Sequence, residues 1–192
     1  MHLQDDTYYI NKVLGGEIKA YTFLVDRHKR MVYTLALKIL SVPEDAEETA
    51  QDAFVKAYQS LKDFKGESKF STWLYTIVYH LSISRLRKKH LNTVSIHDEH
   101  FRNFDVGDSD HFLSKITNDE QIGLVRTAID KLSGDEQALV TLYYINESSV
   151  KEISTITGDS ESNVKVKLFR VRKRLGELLA HNHHTKISIG HE

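Results

Sequence analysis

The chain has 192 residues, a hydrophobic fraction of 40% and a formal net charge of −1. This length is enough for one domain or two small ones with modest cores. The sequence contains no cysteine, which excludes disulfides, thiolate zinc sites and cysteine nucleophiles, and no apolar run approaches the ~20 residues that cross a bilayer. We therefore expect a cytoplasmic protein without membrane insertion, in which any nucleic-acid contact comes from segregated basic residues.

Proline and glycine are scarce, which favours an all-α fold. The chain has one proline and nine glycines, and helix interiors tolerate neither residue well. Apolar residues spaced by three and four positions predict several helices in the first half of the chain. Their expected spans are 5–14, 17–40 as one long or two broken helices, 44–61 and 71–89.

Periodicity disappears between residues 91 and 118, where acidic residues are scattered among histidine and phenylalanine. A connection of this length is uncommon inside a compact domain. We therefore predict two helical domains joined by a flexible linker. The predicted boundaries are 1–90 for the first domain, 91–118 for the acidic linker, 119–180 for the second domain and 181–192 for a flexible tail.

Ser-x-x-Glu pairs mark several expected helix starts, because in such a capping box each side chain satisfies a free N–H of the first helical turn. The pairs are Ser41 with Glu44, Ser133 with Glu136, and Ser149 with Glu152. The helix opened by the last pair ends at Gly158, and Ser160 can cap the next helix two residues later. So short a turn predicts a helix-turn-helix, which two preceding helices complete to a four-helix second domain.

The helix that follows Ser160 separates apolar from polar positions. Its apolar stripe, expected to face a core, is Val164, Leu168, Val171, Leu175 and Leu178. The positions away from this stripe are mostly basic, with a small, polar N-terminal end, as in a recognition helix of the DNA major groove. Those positions are Ser162, Asn163, Lys165, Val166, Phe169, Arg170 and Lys173. The alternative interpretation is a solvated cationic helix.

The helix expected over residues 44–61 carries a separate polar face. Its members are Glu48, Gln51, Asp52 and Val55. Taken alone, a patch of carboxylates with one amide is usually a solvated helix surface. We label the helix expected over residues 44–61 α3 and name these four residues the α3 patch.

A lysine-containing loop precedes the helix expected over residues 71–89. Lys65 and Lys69 lie in this loop, and Phe64, Phe70 and Trp73 lie beside it. The helix side opposite the expected core stripe, and the basic end of the helix, add Thr76, His80, Arg87 and Lys88. Cations contact phosphates and aromatic rings stack on unpaired bases, so this combination suits single-stranded or melted nucleic acid. For each of the three aromatic side chains taken alone, packing in the hydrophobic core is the alternative to stacking on a base.

Signs of an enzyme are missing from the sequence. No histidine and carboxylate pair has the spacing of a metal or nucleophile site on a rigid element, and no glycine-rich loop is placed to cradle phosphates. His181, His183 and His184 lie in the expected tail without partner carboxylates. We expect no catalytic residue, no metal and no cofactor.

Three stretches together resemble the extracytoplasmic-function group of bacterial RNA polymerase sigma factors, within the sigma-70 family. They are DAEETAQDAFVKAY, FKGESKFSTWLYTIVYHLSISRLRKK, and LSGDEQALVTLYYI followed by the helix-turn-helix with NVKVKLFRVRKRL. The resemblance implies a two-domain transcription initiation factor whose partners are promoter DNA and core RNA polymerase, contacted at the β′ clamp and the β flap. An anti-sigma factor is a further partner common in this group.

The resemblance also implies a role for each candidate surface. The α3 patch would bind the clamp helices of β′, and the linker would thread the polymerase cleft near the path of nascent RNA. The residues that would contact the minus-ten element are Lys65, Lys69, Thr76, His80, Arg87 and Lys88. The residues that would contact the minus-thirty-five element are Ser162, Asn163, Lys165, Val166, Phe169, Arg170 and Lys173.

The sequence departs from the pattern of this family at a few positions. Thr76 stands where arginine is common, and His80 stands where asparagine is common. Asp159 and Ser148 occupy positions near the helix-turn-helix that are usually apolar. The competing interpretation is a helix-turn-helix regulator that binds duplex operators, because the second domain alone would look the same.

Overall fold

The computed structural model describes the backbone of residues 5–92 and 119–188, and the side chains of residues 5–89 and 123–180. All regular elements within these ranges are helical, which confirms the all-α prediction. The α-helices are α1 (Asp6–Leu14), α2 (Tyr21–Leu40), α3 (Pro43–Gln59), α4 (Phe70–Asn92), α5 (Asp119–Asp130), α6 (Gly134–Val140), α7 (Val150–Thr157) and α8 (Glu161–Ser188). Of the predicted linker, residues 93–118 lie outside the described residues.

Helices α1 to α4 form the N-terminal lobe. Asp5 caps α1 by accepting a hydrogen bond from the Tyr8 N–H at 2.9 Å. A single 3₁₀ turn, Ile18–Ala20, separates α1 from the uninterrupted α2. Helices α2, α3 and α4 pack against one another around buried residues such as Leu24, Leu35 and Leu74.

The predicted capping box of Ser41 and Glu44 is wrong. Ser41 adopts the left-handed conformation, with φ 61°, and closes α2 through its N–H to the Leu37 carbonyl at 2.8 Å. Helix α3 then begins at Pro43, whose fixed φ and missing N–H suit the first helical position. Only Ser41 and Val42 separate the two helices. Ser41 therefore ends α2 and does not cap α3.

The aromatic residues around the lysine-containing loop form a cluster. The ring centroids of Phe64, Phe70 and Trp73 lie 5.3 to 5.8 Å apart. Phe70 is buried, and the other two pack partly buried against the same core. The core-packing alternative therefore applies to Phe70, and the cluster fixes the start of α4 under the loop.

Helices α5 to α8 form the C-terminal lobe, and both capping boxes predicted there are present. Ser133 with Glu136 opens α6, and Ser149 with Glu152 opens α7. Gly158 has φ 78° at the end of α7, where a residue with a Cβ would be strained. The predicted helix-turn-helix corner is therefore formed as the sequence indicated.

Helix α8 is longer than predicted. It continues to Ser188, whereas the predicted helix ends near Leu179 and is followed by a tail over residues 181–192. No proline or glycine occurs between Gly176 and Gly190, so no residue interrupts the backbone hydrogen bonds. The apolar stripe of α8 is placed as predicted, with Val164, Leu168, Val171 and Leu175 buried.

The two lobes are packed against each other. Helix α4 packs on α7, and α2 packs on α6. Leu139, Leu142, Ile153 and Ile156 of the C-terminal lobe join the same buried apolar cluster as the N-terminal core. A second cluster, formed by α5, α6 and α8 around Val171 and Leu175, belongs to the C-terminal lobe alone.

The cap of α7 provides a stability test. Ser149→Ala removes the hydroxyl that accepts from the Glu152 N–H at 3.2 Å, so we expect the free energy of unfolding to fall by about 1 kcal/mol. Urea unfolding followed by circular dichroism measures this change. Ser84→Ala, at an exposed position inside α4, is the control and should change stability by less than about 0.5 kcal/mol. Equal stabilities of the two variants would contradict a stabilising role for the cap.

Candidate nucleic-acid interface

The α3 patch lies on the outer side of the N-terminal lobe. Gln51, Asp52 and Val55 are exposed, and Val55 retains 55% of its accessible surface. Glu48 is also exposed, but its carboxylate is paired with Arg85 of α4. An exposed valine flanked by an amide and a carboxylate gives this surface a small apolar centre with a polar rim, as in protein interfaces.

The basic end of α4 is divided between two roles. Arg85 and Lys89 pair with Asp45 of α3 at 3.0 and 3.3 Å. The hydrogen bond from Lys89, and the nearby charge of Arg85, lower the pKa of Asp45. Arg87 and Lys88 are exposed. At this end of α4, Arg85 and Lys89 therefore tie the helix to α3, while Arg87 and Lys88 extend into solvent.

The lysine-containing loop is exposed and turns at Gly66, which has φ 73°. Lys65 and Lys69 both lie on its surface. The Lys69 ammonium reaches across to Glu152 at the start of α7, with 2.8 Å between Nζ and Oε1. Together with the Ser149 N–H, this contact lowers the pKa of Glu152 to about 2.

The predicted minus-ten side of α4 is only partly open to solvent. His80 is exposed, and Thr76 is half-buried with its hydroxyl donating to the Thr72 carbonyl at 3.0 Å. Thr72 and Tyr79 on the same side are buried. The Tyr79 hydroxyl is hydrogen-bonded to Asp135 at the start of α6, and burial together with this carboxylate raises the pKa of Tyr79.

The first turns of α8 present most of the predicted recognition residues. Phe169 is half-buried, and the others are exposed: Ser162, Asn163, Lys165, Val166, Arg170 and Lys173. Ser160 caps the helix by accepting from the Asn163 N–H at 3.2 Å. This end of α8 therefore combines an exposed polar surface with the positive end of a helix dipole, which favours a polyanion.

Some flanking basic residues of α8 are engaged inside the C-terminal lobe. Arg172 donates to the Tyr144 hydroxyl at 2.8 Å, and Arg174 pairs with Glu136 at 3.3 Å. These contacts tie α8 to α6, through Glu136, and to the helical turn after it, through Tyr144. The sequence pattern alone did not distinguish these residues from phosphate-binding positions.

Asp159 organises the turn before α8, a role that sequence reasoning did not assign to it. Its carboxylate accepts from the Asn163 amide at 2.7 Å and pairs with Lys167 at 2.6 Å. Burial opposes ionisation of Asp159, but the contacts with Lys167, Asn163 and Thr157 outweigh it and lower the pKa. The spacing i, i+4, i+8 of Asp159, Asn163 and Lys167 was the available signal, because it brings these side chains to one side of the chain at the start of α8.

Ser148, the other departure from the family pattern, is buried with its polar groups satisfied. Its N–H donates to the Leu142 carbonyl at 2.9 Å, and its hydroxyl accepts from the Asn146 amide at 2.8 Å. A polar residue is thus compatible with this position because both groups have partners.

Among the residues that the structure describes, no group of three or more histidine, aspartate or glutamate side chains is arranged to hold a metal ion. In the same residues, no helix combines the length and the apolar character needed to cross a bilayer.

Comparison with known proteins links the two halves of the chain to one family. The Sigma-70 region 2 model matches residues 24–91, and the Sigma-70, region 4 model matches residues 122–175. These ranges contain the α3 patch, the loop with nearly all of α4, and the helix-turn-helix with the first half of α8.

Relatives of known identity match nearly the whole chain. The ECF RNA polymerase sigma factor SigW of Bacillus subtilis is 31% identical in an alignment of 176 positions that covers 88% of this chain and 94% of that protein. The ECF RNA polymerase sigma-E factor of Escherichia coli K12 is 30% identical in an alignment of 183 positions that covers 88% of this chain and 92% of the relative.

Solved structures share the fold. CnrH in complex with the cytosolic domain of CnrY has a TM-score of 0.65 at 21% identity, over 93% of this chain and 99% of that one. RpoE from Bartonella quintana, in complex with the anti-sigma factor NepR, has a TM-score of 0.63 at 23% identity, over 84% and 98% of the two chains. The family matches, the full-length relatives and the common all-helical fold confirm the resemblance: the chain belongs to the extracytoplasmic-function group of RNA polymerase sigma factors in the sigma-70 family.

Proposed function

We propose that the chain binds core RNA polymerase through the N-terminal lobe and directs it to promoters through both lobes. The observation that carries this proposal is the presence, in one chain, of an exposed α3 patch and of an exposed recognition end on α8. A protein that only binds duplex DNA has no use for the first surface. Sigma factors are in general not enzymes, and we propose no catalytic step, no metal and no cofactor for this chain.

Gln51, Asp52 and Val55 form the centre of the proposed contact with the β′ clamp. All three are exposed on one side of α3, where their side chains reach a partner without rearrangement of the lobe. Glu48 takes part at the edge, where its carboxylate already holds Arg85. In the C-terminal lobe, the β flap is the proposed polymerase contact.

The loop and α4 form the proposed minus-ten surface. Lys65 and Lys69 supply cations beside a base lifted from the non-template strand. Thr76 and His80 face the neighbouring bases, and their identities set a sequence preference that differs from that of relatives with arginine and asparagine there. Arg87 and Lys88 follow on the same helix and contact phosphates.

The first turns of α8 form the proposed minus-thirty-five surface. Side chains at the N-terminal end of a recognition helix reach base edges in the major groove. The proposed contacts are Ser162, Asn163, Lys165, Val166, Phe169, Arg170 and Lys173. Asp159 holds the Asn163 amide in place, so this group is oriented before DNA binds.

An anti-sigma factor is the proposed regulatory partner, acting in the cytoplasm where polymerase and promoters meet. The support is that structural relatives were solved with regulators, RpoE with the anti-sigma factor NepR among them. Such a partner would compete for the same surfaces that contact polymerase and promoter DNA.

Transcription by reconstituted polymerase tests the proposal. Purified chain is mixed with bacterial core RNA polymerase and a pool of templates with randomised upstream segments, and run-off transcripts are sequenced. We expect co-purification with the core enzyme and enrichment of templates with two conserved upstream elements. Duplex binding without polymerase, and no enrichment in its presence, would instead support the helix-turn-helix regulator.

A further inference from the structure

Asn163 is the third residue of α8, and its side chain is hydrogen-bonded to the turn before the helix. Ser160 accepts from the Asn163 N–H, and helix starts of this kind commonly have glutamate or glutamine at the third position. Here the residue is an asparagine, and its Nδ2 donates to Asp159 Oδ1 at 2.7 Å. Asn163 is exposed, so its amide is accessible from outside the helix-turn-helix.

The chemistry of this contact determines which end of the amide faces the turn. Burial disfavours the ionised form of Asp159, but its contacts with Lys167 and with neighbouring hydrogen-bond donors lower its pKa, and the carboxylate is ionised at neutral pH. An ionised carboxylate only accepts hydrogen bonds, so the group that meets it must be the NH2 of Asn163 and not the carbonyl oxygen. The carbonyl oxygen of Asn163 is therefore left for a partner outside the protein.

Asp159 is itself held at several points. Its N–H donates to the Thr157 hydroxyl at 3.3 Å, and its carbonyl oxygen accepts from the Ser154 hydroxyl at 2.6 Å. Its second carboxylate oxygen, Oδ2, pairs with Lys167 at 2.6 Å, and the side chain retains only 20% of its accessible surface. Each carboxylate oxygen thus has its own partner, and loss of either partner would leave a partly buried charge less well satisfied.

The orientation of an amide determines which bases it can contact in the major groove. Adenine and cytosine present an exocyclic amino donor there, at N6 and N4, whereas guanine and thymine present carbonyl acceptors, at O6 and O4. An outward carbonyl oxygen accepts from an amino base and is repelled by a keto base. An amide that turns over freely can instead offer its NH2 to guanine or thymine. Discrimination between the two kinds of base therefore depends on what fixes the amide.

We infer that Asp159 is a specificity-determining positioning residue, which holds the Asn163 carbonyl oxygen outward so that the base contacted by Asn163 is adenine or cytosine and not guanine or thymine. The inference rests on the proposed function, because it takes the first turns of α8 to lie in the major groove at the minus-thirty-five element. Asp159 acts through Asn163 and does not itself touch the DNA. The apolar residue that is usual at this position could not accept from the amide.

Run-off transcription with the reconstituted holoenzyme tests the inference. The template is the strongest promoter selected by the wild-type chain, and each upstream position is changed in turn to all four bases. With the wild-type chain we expect one position at which adenine and cytosine on one strand exceed guanine and thymine by at least about fivefold. Asp159→Asn keeps the size of the side chain, but its neutral amide can donate as well as accept, so this ratio should fall below about twofold.

Matched variants separate the amide contact from general effects on the turn. Lys167→Gln removes the cation that pairs with Asp159 Oδ2 but leaves the contact at Oδ1, so it should retain the preference for amino bases. Asn163→Ala removes the amide and should lose the preference at the same position. Asp159→Leu, which introduces the apolar kind of side chain that is usual in the family, should also lose it. This variant replaces Asp159→Asn in the test if the latter does not fold.

Three transcription results would overturn the inference. The first is an unchanged ratio in the folded Asp159 variants. The second is a preference that survives in Asn163→Ala, since another residue would then contact the base. The third is an equal loss of preference in Lys167→Gln, because the arrangement of the whole turn, and not the amide contact, would then be responsible.

The contact is also measurable in the free protein, which separates failure of this inference from failure of the proposed function. Hydrogen exchange of the Asn163 side-chain NH2, followed by NMR, should be at least about threefold faster in Asp159→Leu. The NH2 of Asn146, which donates to the Ser148 hydroxyl, is the internal control and should not change. Equal exchange rates at Asn163 would overturn the inference. Wild-type transcription that ignores the upstream sequence would instead overturn the proposed function, and the base preference with it, while the held amide would stand.

Discussion

Replacement of Gln51 and Asp52 together by alanine should weaken binding of core RNA polymerase by at least about tenfold, which corresponds to ~1.4 kcal/mol. Both side chains are exposed in the middle of α3, beside the exposed Val55. Residues near the centre of an interface carry most of its binding free energy, whereas rim residues contribute little. Titration of labelled core enzyme with each variant measures the loss.

The double variant should lose affinity for polymerase without losing its fold, because neither side chain is buried in the N-terminal lobe. Alanine favours a helix more than aspartate does, so helicity by circular dichroism should be retained. Asp26→Ala, at an exposed position of α2, also removes one negative charge from the N-terminal lobe and should leave the affinity unchanged. Equal affinities for the double variant and the wild type would exclude the α3 patch as the polymerase contact.

Local sequence signals predicted the C-terminal lobe well, because its helix ends are specified by neighbouring residues. Both Ser-x-x-Glu boxes near Ser133 and Ser149 require only contacts over three positions, and Gly158 requires only its own backbone conformation. The same Ser-x-x-Glu pattern gave a wrong prediction of a capping box at Ser41. There the preceding helix used the residue as its C-terminal cap, and the proline two positions later began the next helix.

Helical periodicity also predicted which side chains would be exposed, but it did not predict which ion pairs the charged ones form. Gln51, Asp52 and Val55 are exposed as the spacing indicated. The pairing of Glu48 with Arg85 joins residues 37 positions apart, and no local pattern encodes it. For the same reason, the sequence did not predict that Lys69 would meet Glu152 in the other lobe.

The packing between the two predicted domains could not be predicted from the sequence. Leu139 and Ile153 of the second domain belong to the same buried cluster as the N-terminal core. Each apolar stripe was identified from its spacing, but spacing does not specify its partner. Steric fit helps to select the partner, because only a glycine at position 134 leaves room for the Ile39 carbonyl oxygen of α2.

Arg170→Ala should remove about 1 to 3 kcal/mol of discrimination at one base pair of the upstream promoter element, roughly 5- to 150-fold, if its guanidinium contacts a base edge. Arg170 is exposed on the side of α8 away from the buried Val171 and Leu175, two turns beyond the oriented Asn163. Its planar donors suit bidentate contact with guanine. Transcription from the selected promoter and from its single-base variants, with wild-type and variant factor, measures this change.

The pattern across the base variants distinguishes the two ways in which an arginine can act. A base contact relaxes specificity at a single position, whereas a phosphate contact lowers affinity for all sequences equally and reduces the salt dependence. Lys173→Ala, one helical turn further along α8, provides the comparison: as a phosphate contact, Lys173 should show the uniform loss. If Arg170→Ala behaves in the same uniform way, Arg170 holds the backbone, and the base reading of α8 is restricted to its first turns around Ser162, Asn163 and Val166.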